Sequence, residues 1–292
     1  MQLMFSLSAL ALLLAALPTP PAAARTVPVR TLTVTARNYA YDMPDTVAAG
    51  RTEFRLLNKG TEMHHVSLVR LEGGHTVADF LAALKAGGPP PAWAHDEGGP
   101  NTPVPGGTSV AIVDLKPGNY LTVCFIPSND GVPHVMKGMI RGFTVVEPSR
   151  MKAVVKAAAP AGGALADGTI MNVPVADVTL TLSDYGFGFS KPLTAGKHVL
   201  RIENGAKQAH EMFIVRLAPG KTAKDVAAWV EKQQGPPPAE PLGGISAMDP
   251  GHVNEIPLDL APGTYGLLCF IPDAKDGKPH VAHGMMQDIV VK

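Results

Sequence analysis

The sequence has no net charge and few aromatic side chains, which narrows the classes of protein to which it can belong. Lys and Arg together number 25, as do Asp and Glu, and aromatic residues make up 5% of the 292 residues. A protein that binds nucleic acid or an anionic membrane surface is expected to carry an excess of basic residues. The composition therefore favours neither partner, and its hydrophobic content of 46% is typical of a globular chain.

No apolar run in the sequence reaches the roughly 20 residues that a membrane-spanning helix needs. One shorter run, at residues 7–17, is followed by a proline-rich break and by three alanines at 22–24. This order is typical of a secretory signal peptide. We therefore expect residues 1–24 to be a signal peptide, the mature chain to have no membrane span, and the protein to be periplasmic or secreted. An uncleaved anchor is the alternative, because no Lys or Arg precedes the apolar run.

The chain contains an internal repeat with a constant offset of 145–147 residues. A tyrosine followed eleven residues later by a glycine occurs at Tyr39 and again at Tyr185. Near the end of each unit, LKPGNYLTVCFIP at 115–127 corresponds to LAPGTYGLLCFIP at 260–272. An offset that stays constant over more than one hundred positions indicates a duplicated domain. The predicted segments are domain 1 (30–147), a linker rich in Ala, Gly and Pro (148–174) and domain 2 (175–292).

Each repeat has the pattern of short strands separated by turns. Glycine (30) and proline (28) are abundant, and Leu32, Val34 and Ala36 alternate with threonines as in a half-buried strand. One helix per repeat is expected at 76–86 and at 222–232, where a threonine precedes apolar residues at helical spacing. The predicted fold class is all-β, with two tandem Greek-key barrels or sandwiches that each carry one short helix.

Each repeat also carries one cysteine, a histidine ten or eleven residues later, and a methionine five residues after that histidine. These residues are Cys124, His134 and Met139 in the first repeat, and Cys269, His280 and Met285 in the second. In each copy a further histidine, His64 or His210, lies at the expected start of an upstream strand. Two imidazoles, one thiolate and a weak thioether are the ligands of a blue-copper site. The spacing therefore predicts up to two copper ions, one per repeat.

The first repeat offers two adjacent histidines, His64 and His65, as the upstream ligand. Successive side chains of a strand point to opposite faces, so only one of the two can face the cluster. The second repeat has His210 at the position of His64 and Glu211 at the position of His65. We therefore predict His64 and His210 as ligands, and expect His65 to face outward or to lie in the layer around the ligands.

The Gly-x-Tyr-x-x-x-Cys strand and the His-x-x-x-Gly-Met ending of each repeat resemble the cupredoxins, the type 1 copper family of plastocyanin and the phytocyanins. The longer loop between cysteine and histidine, with Pro127 and Pro133, resembles the type 1 site of the copper nitrite reductases. The resemblance covers 30–147 and 175–292 and implies a cupredoxin-like barrel with a type 1 site in each repeat. The ligands it implies are His64, Cys124, His134 and Met139, and His210, Cys269, His280 and Met285.

Two departures from these relatives bear on the activity. Copper nitrite reductases and multicopper oxidases have a histidine immediately before the cysteine ligand, and it connects the type 1 copper to a catalytic copper. Val123 and Leu268 occupy that position here, and Val69 and Val215 stand where another catalytic ligand would be sought. We therefore expect a protein that is not an enzyme and that exchanges single electrons with a redox partner protein. The alternatives are copper storage or delivery between a copper donor and acceptor, a two-domain copper oxidoreductase, and a metal-free module.

Other interpretations of the cysteines and histidines stay open from the sequence. An even number of cysteines in an exported protein also allows a disulfide, although Cys124 and Cys269 would have to meet across two separate barrels. Both could instead be buried small residues in barrels that have lost their metal. Four histidines have no counterpart in the other repeat and are interpreted as solvated surface residues: His75, His95, His198 and His252.

Overall fold

The computed structural model describes residues 25–151, 168–232 and 234–292. The predicted signal peptide and most of the predicted linker lie outside these residues. The first half contains β1 (Thr26–Arg37), β2 (Ala40–Asp42), β3 (Thr46–Ala48), β4 (Gly50–Asn58), β5 (Ser67–Leu71), α1 (Val77–Ala86), β6 (Ala94–Gly98), β7 (Thr108–Leu115), β8 (Gly118–Val123) and β9 (Ile140–Val146). The second contains β10 (Ile170–Pro174), β11 (Val178–Ser183), β12 (Gly186–Phe189), β13 (Gly196–Asn204), β14 (His210–Leu217), α2 (Ala223–Lys232), β15 (Ala239–Met248), β16 (Val253–Leu260), β17 (Gly263–Leu268) and β18 (Met286–Val291).

The alternation of apolar and polar side chains determines which segments form strands and which face of each strand is buried. In β1, Leu32, Val34 and Ala36 are buried, while the threonines between them are half-buried or exposed. Threonine and valine are β-branched, which favours the extended backbone, and burial of the apolar face fixes the register. The prediction of an all-β fold in two halves is confirmed. Within the described residues, no helix is long and apolar enough to cross a membrane.

Each half carries one helix of ten residues that begins after a threonine, as predicted. The Thr76 hydroxyl accepts the N–H of Asp79, and the Asp79 carboxylate accepts the N–H of Thr76. Thr222 and Asp225 repeat both hydrogen bonds at α2. This reciprocal cap satisfies N–H groups that the first turn would otherwise leave unpaired. Residues 148–151, in the segment predicted as linker, are helical as well.

The strands form two nine-stranded sheets that run through both halves of the chain. The first has the order β10-β1-β4-β7-β16-β13-β11-β12, with β2 beside β1, and the second has the order β18-β17-β14-β15-β6-β5-β8-β9-β3. The halves meet where β1 pairs with β10 and β7 with β16 in the first sheet, and where β6 pairs with β15 in the second. The repeats predicted as tandem barrels therefore share continuous sheets.

Polar side chains hold the junction of the two halves. His252 Nε2 lies 3.3 Å from Glu97 Oε2, and Arg70 Nε donates to Glu97 Oε1 over 2.7 Å. His95 Nδ1 lies 3.4 Å from an oxygen of Asp249 in the other half. The interpretation of His95 and His252 as solvated surface residues is wrong, because it took a missing counterpart in the repeat to mean a missing partner in the fold.

Replacing His252 by Gln is expected to lower the free energy of unfolding more at acidic than at alkaline pH. The hydrogen bond with Glu97 raises the pKa of His252 above 6.5. The stabilisation is thus fully present below that unfolded-state value and is lost as the pH rises through the higher folded-state pKa. We expect a loss of about 1 kcal/mol near pH 5.5 and almost none near pH 8.5, measured by urea unfolding. Equal losses at both pH values would contradict the ion pair.

Candidate metal centre

The four candidate ligands of the first half lie on connections that follow or precede strands. Cys124 comes directly after β8, His134 begins a 3-10 turn, and Met139 precedes β9. His64 lies in the connection three residues before β5, not at the start of the strand as the sequence suggested. In both halves all the predicted ligands have an exposed fraction of 0%: His64, Cys124, His134, Met139, His210, Cys269, His280 and Met285.

The donor atoms of the first half converge. His64 Nδ1 lies 3.1 Å from His134 Nδ1, and Cys124 Sγ lies 3.4 Å from His134 Nδ1. One donor atom from each of these residues lies within 4.8 Å of the others. The main chain of Met139 fastens the cluster, because its N–H donates to the carbonyl of His134 and its carbonyl accepts the N–H of Cys124. The predicted residues are therefore brought together, and their role as ligands stays a prediction.

The second half repeats this arrangement. Cys269 Sγ lies 3.3 Å from His280 Nδ1 and 3.8 Å from His210 Nδ1. Met285 again accepts the N–H of Cys269 and donates to the carbonyl of His280. Both cysteines are free thiols, so the disulfide that their even number allowed is not formed.

A turn ending in glycine makes this geometry possible. After the 3-10 turns at 134–137 and 280–283, Gly138 has φ of 100° and Gly284 has φ of 91°. This backbone conformation is strained for residues with a side chain, which explains the glycine of the His-x-x-x-Gly-Met pattern. An isolated bridge between Pro127 and Pro133 closes the preceding loop, as does one between the corresponding prolines of the second half. The long loop is thus tied at its base, next to the histidine.

The fold and its two clusters can be compared with those of known proteins. No protein-family model and no curated protein matches the chain. Among solved structures, auracyanin from Roseiflexus castenholzii is similar over 40% of this chain and 99% of its own (22% identity, TM-score 0.27). A copper nitrite reductase from Nitrosomonas europaea is similar over 90% of this chain and 94% of its own, with 13% identity and a TM-score of 0.26. A multicopper oxidase is similar over 92% of this chain and 93% of its own, with 14% identity and a TM-score of 0.26.

Both halves are cupredoxin-like domains. The two-sheet architecture and the repeated His–Cys–His groups agree with the resemblance that the sequence motifs indicated. Each cupredoxin-like domain therefore carries a His–Cys–His group, with its cysteine and loop histidine in the same structural positions. We refer to the group around Cys124 as centre 1 and to the group around Cys269 as centre 2.

One expectation of the sequence is wrong. Val123 and Leu268 led to the prediction that the chain is not an enzyme, yet the similar structures that span most of the chain include copper nitrite reductases and multicopper oxidases. The inference failed because it considered a catalytic ligand only before each cysteine and on the upstream strand. Missing histidines at those positions do not exclude chemistry by other residues of the same fold.

Burial sets the protonation of the donor atoms. It raises the pKa of the Cys124 thiol to about 12, and it raises the pKa of Cys269 as well. It lowers the pKa of His64 and of His280 to about 4, and also lowers the pKa of His210. At neutral pH the groups without metal thus have protonated thiols beside the neutral imidazoles of His64, His210 and His280. Copper fits this donor set, since imidazole and thiolate are its preferred ligands and both thiols can lose their proton to a bound cation.

At centre 1, a carboxylate contacts the Nε2 atom of the loop histidine. His134 Nε2 lies 2.6 Å from Glu62 Oε2, and the ring of Tyr39 packs edge-on to His134 with centroids 5.3 Å apart. Desolvation acts to raise the pKa of Glu62, but hydrogen bonds with His134 and Ser128 outweigh it and lower the pKa. A carboxylate at Nε2 leaves Nδ1 as the free donor of the ring.

At centre 2, the corresponding contacts are distributed differently. His210 Nε2 lies 3.1 Å from Asp184 Oδ1, and this hydrogen bond lowers the pKa of Asp184. His280 Nε2 lies 3.7 Å from an oxygen of Asp273, which accepts the hydroxyl of Tyr185. The hydrogen bond from Tyr185 and that from Gln208 lower the pKa of Asp273. No role for these acids was predicted from the sequence, because they lie on loops whose proximity only the fold establishes.

Two tyrosines pack against the loop histidines in a backbone conformation that non-glycine residues rarely adopt. Tyr39 has φ of 63° and Tyr185 has φ of 66°, and among the described residues these are the only non-glycine positions with positive φ. Such strain persists where surrounding contacts hold it, often at functional sites. The repeated tyrosine-to-glycine spacing was a sequence signal for this feature, although it was used only to align the repeats.

His65 and Glu211 directly follow the upstream histidines. Each accepts the main-chain N–H of the residue after the cysteine. The N–H of Phe125 donates to His65 Nε2 over 3.0 Å, and the N–H of Phe270 donates to Glu211 Oε1 over 2.8 Å. His65 is 8% exposed, so it lies in the layer around the ligands and does not face outward. Burial lowers the pKa of His65 to about 3 and raises the pKa of Glu211 to about 7.

A cavity of about 1420 Å³ borders both centres. Its lining includes Glu62, His65 and Phe125 from domain 1, and Gln208, Glu211 and Phe270 from domain 2. Apart from Gln208, which bonds Asp273, these residues contact the ligands or are their neighbours in sequence. The ligands themselves are buried, so the cavity reaches the residues next to both centres.

Replacing Glu62 by Gln is expected to weaken metal binding at centre 1 about 10- to 100-fold, because a carboxylate that orients a ligand imidazole contributes that much to affinity. The affinity would be measured by competition with a chelator in a Cys269→Ser background, which leaves only centre 1. Glu231→Gln, on the exposed surface of α2, is the control for the same chemical change. An unchanged affinity in Glu62→Gln would show that the carboxylate does not orient His134.

Proposed function

We propose that the protein binds one copper ion in each cupredoxin-like domain and uses these ions to accept and donate single electrons. The observation that carries the proposal is the repeated convergence of one thiol and two imidazole Nδ1 atoms in a fully buried group. Copper bound there supplies one-electron chemistry by changing between Cu(II) and Cu(I), which imidazole and thiolate ligands stabilise respectively.

The surrounding residues keep the donor set ready for this chemistry. Glu62 and Asp184 hold imidazole Nε2 atoms, so the Nδ1 atoms of His134 and His210 face the cysteines. The glycine turns and the methionine main chain bind the cysteine and the loop histidine into one rigid unit. A frame that does not rearrange lets the site change oxidation state without moving its ligands.

We further propose that the chain is exported to the periplasm or secreted, since residues 1–24 have the pattern of a signal peptide. Its partners are then a redox protein that exchanges electrons with the centres and a protein that donates copper to them. Copper storage or delivery uses the same ligands without changing the oxidation state of the metal.

Adding Cu(II) to the purified protein is expected to produce an intense visible thiolate-to-copper band with two copper ions per chain. Cys124→Ser and Cys269→Ser should each remove one copper ion and the share of the band that belongs to its domain. Absorption spectra and metal analysis measure both. Cu(I) binding without any such band would favour storage or delivery and would refute the electron-transfer proposal.

A second candidate, a copper oxidoreductase that acts on a small molecule, is favoured by the cavity that both centres border. A cavity of this size accommodates a small organic substrate. Turnover of phenols or nitrite by the copper-loaded protein, lost in both cysteine variants, would support it. Absence of turnover alongside reversible oxidation and reduction of the band would favour electron transfer alone.

A further inference from the structure

We infer that the two centres have different reduction potentials, that of centre 1 being the higher, so that one electron shared between them resides mainly in domain 1. The inference rests on the proposed function and goes beyond it by assigning a direction. It comes from residues at corresponding positions of the two repeats. Where these residues differ, one repeat shows the effect of a substitution in the other.

The first difference is the contact made by the Nε2 atom of the upstream histidine. In domain 2, Asp184 hydrogen-bonds His210 Nε2. In domain 1 the matching residue is Asn38, whose amide bonds the main chain and side chain of Thr61. His64 Nε2 is buried and has no hydrogen-bond partner. Of the two upstream histidines, only His210 thus has a carboxylate at hydrogen-bond distance from its ring.

The carboxylates behind the loop histidines do not reverse this difference. Glu62 lies closer to His134 than Asp273 lies to His280, at 2.6 Å against 3.7 Å, but each centre has one such acid. Domain 1 also has Lys137, whose ammonium lies 4.9 Å from the ring centroid of Tyr39 and pairs with Asp130. The ammonium offsets part of the negative charge on that side of centre 1.

The second difference surrounds the sulfur. Tyr41 is buried against Cys124, and its hydroxyl donates to the carbonyl of His65. The matching residue in domain 2 is Phe187, which carries no polar group. Next to the upstream ligand, domain 2 has the carboxyl group of Glu211 where domain 1 has an imidazole.

The carboxylate that contacts His210 sets the direction of the difference in potential. Cu(II) carries one more positive charge than Cu(I), so an added carboxylate stabilises the oxidised form and lowers the potential. The Tyr41 hydroxyl donates to the carbonyl of His65 and not to the sulfur, so it does not set the order of the potentials. Each centre has one ligand imidazole whose Nε2 lacks a hydrogen-bond partner, His64 or His280, so the additional carboxylate of Asp184 is the difference that lowers the potential of centre 2. Electrons entering through domain 2 therefore pass downhill to domain 1.

Redox titration of the thiolate band in the two cysteine variants tests this ordering. Cys269→Ser reports centre 1 and Cys124→Ser reports centre 2. We expect the centre in the Cys269→Ser protein to be at least tenfold easier to reduce, which corresponds to about 59 mV for a one-electron couple.

Exchanging the matched residues then assigns the cause. Asp184→Asn should raise the potential of centre 2, and Asn38→Asp should lower that of centre 1, each by several-fold in the reduction equilibrium. Asp259→Asn, an exposed position on β16, removes the same charge elsewhere and should change neither potential. Asp184→Asn keeps an oxygen that can accept from His210, so it should preserve the fold if Asn38→Asp does not.

The outcomes separate the inference from the function on which it rests. Two bands with equal or reversed potentials would overturn the inference and leave copper electron transfer standing. A centre that takes up copper without a thiolate band would refute the proposed function itself. Unequal potentials that do not respond to Asp184→Asn would remove Asp184 as their cause.

Discussion

Exclusion of water from two imidazoles and a thiol is the constraint on which the rest of this structure depends. Burying three polar donors is unfavourable unless they find partners, and here most of their polar atoms do, because the donors face one another and contact carboxylates and main-chain groups. The glycine turns, the tied proline loops and the strained tyrosines all serve to hold that arrangement. The same burial keeps the thiols protonated until a cation replaces the proton.

Duplication gave the chain two copies of this arrangement, and the copies have diverged around the ligands. The cysteine, the two histidines and the methionine are the same in both, while the residues that contact them differ, as at Asn38 and Asp184 or at Tyr41 and Phe187. Divergence confined to the surroundings changes the electrostatic environment of a metal without changing which metal fits. The two copies are therefore free to take unequal parts in one function.

Much of the fold and the centre of each site could be predicted from the sequence, because both depend on local periodicity and on the repeat. Alternation predicted β1, the threonine caps predicted both helices, and comparison of repeats selected His64 over His65. Glu62 and Asp273 could not be found in this way, since their contacts join residues that are distant in sequence. The histidines at the domain junction were missed for the same reason, and shared sheets have no signature within either repeat.

Pairing of strands across the junction has a consequence for how the molecule works. Domains joined only by a tether approach and separate by diffusion, and a hinge would have to break hydrogen bonds in both sheets here. The two clusters are thus held at a fixed distance from each other. Electron exchange of the kind proposed would therefore cross one constant separation, and the viscosity of the surrounding solvent would not enter its rate.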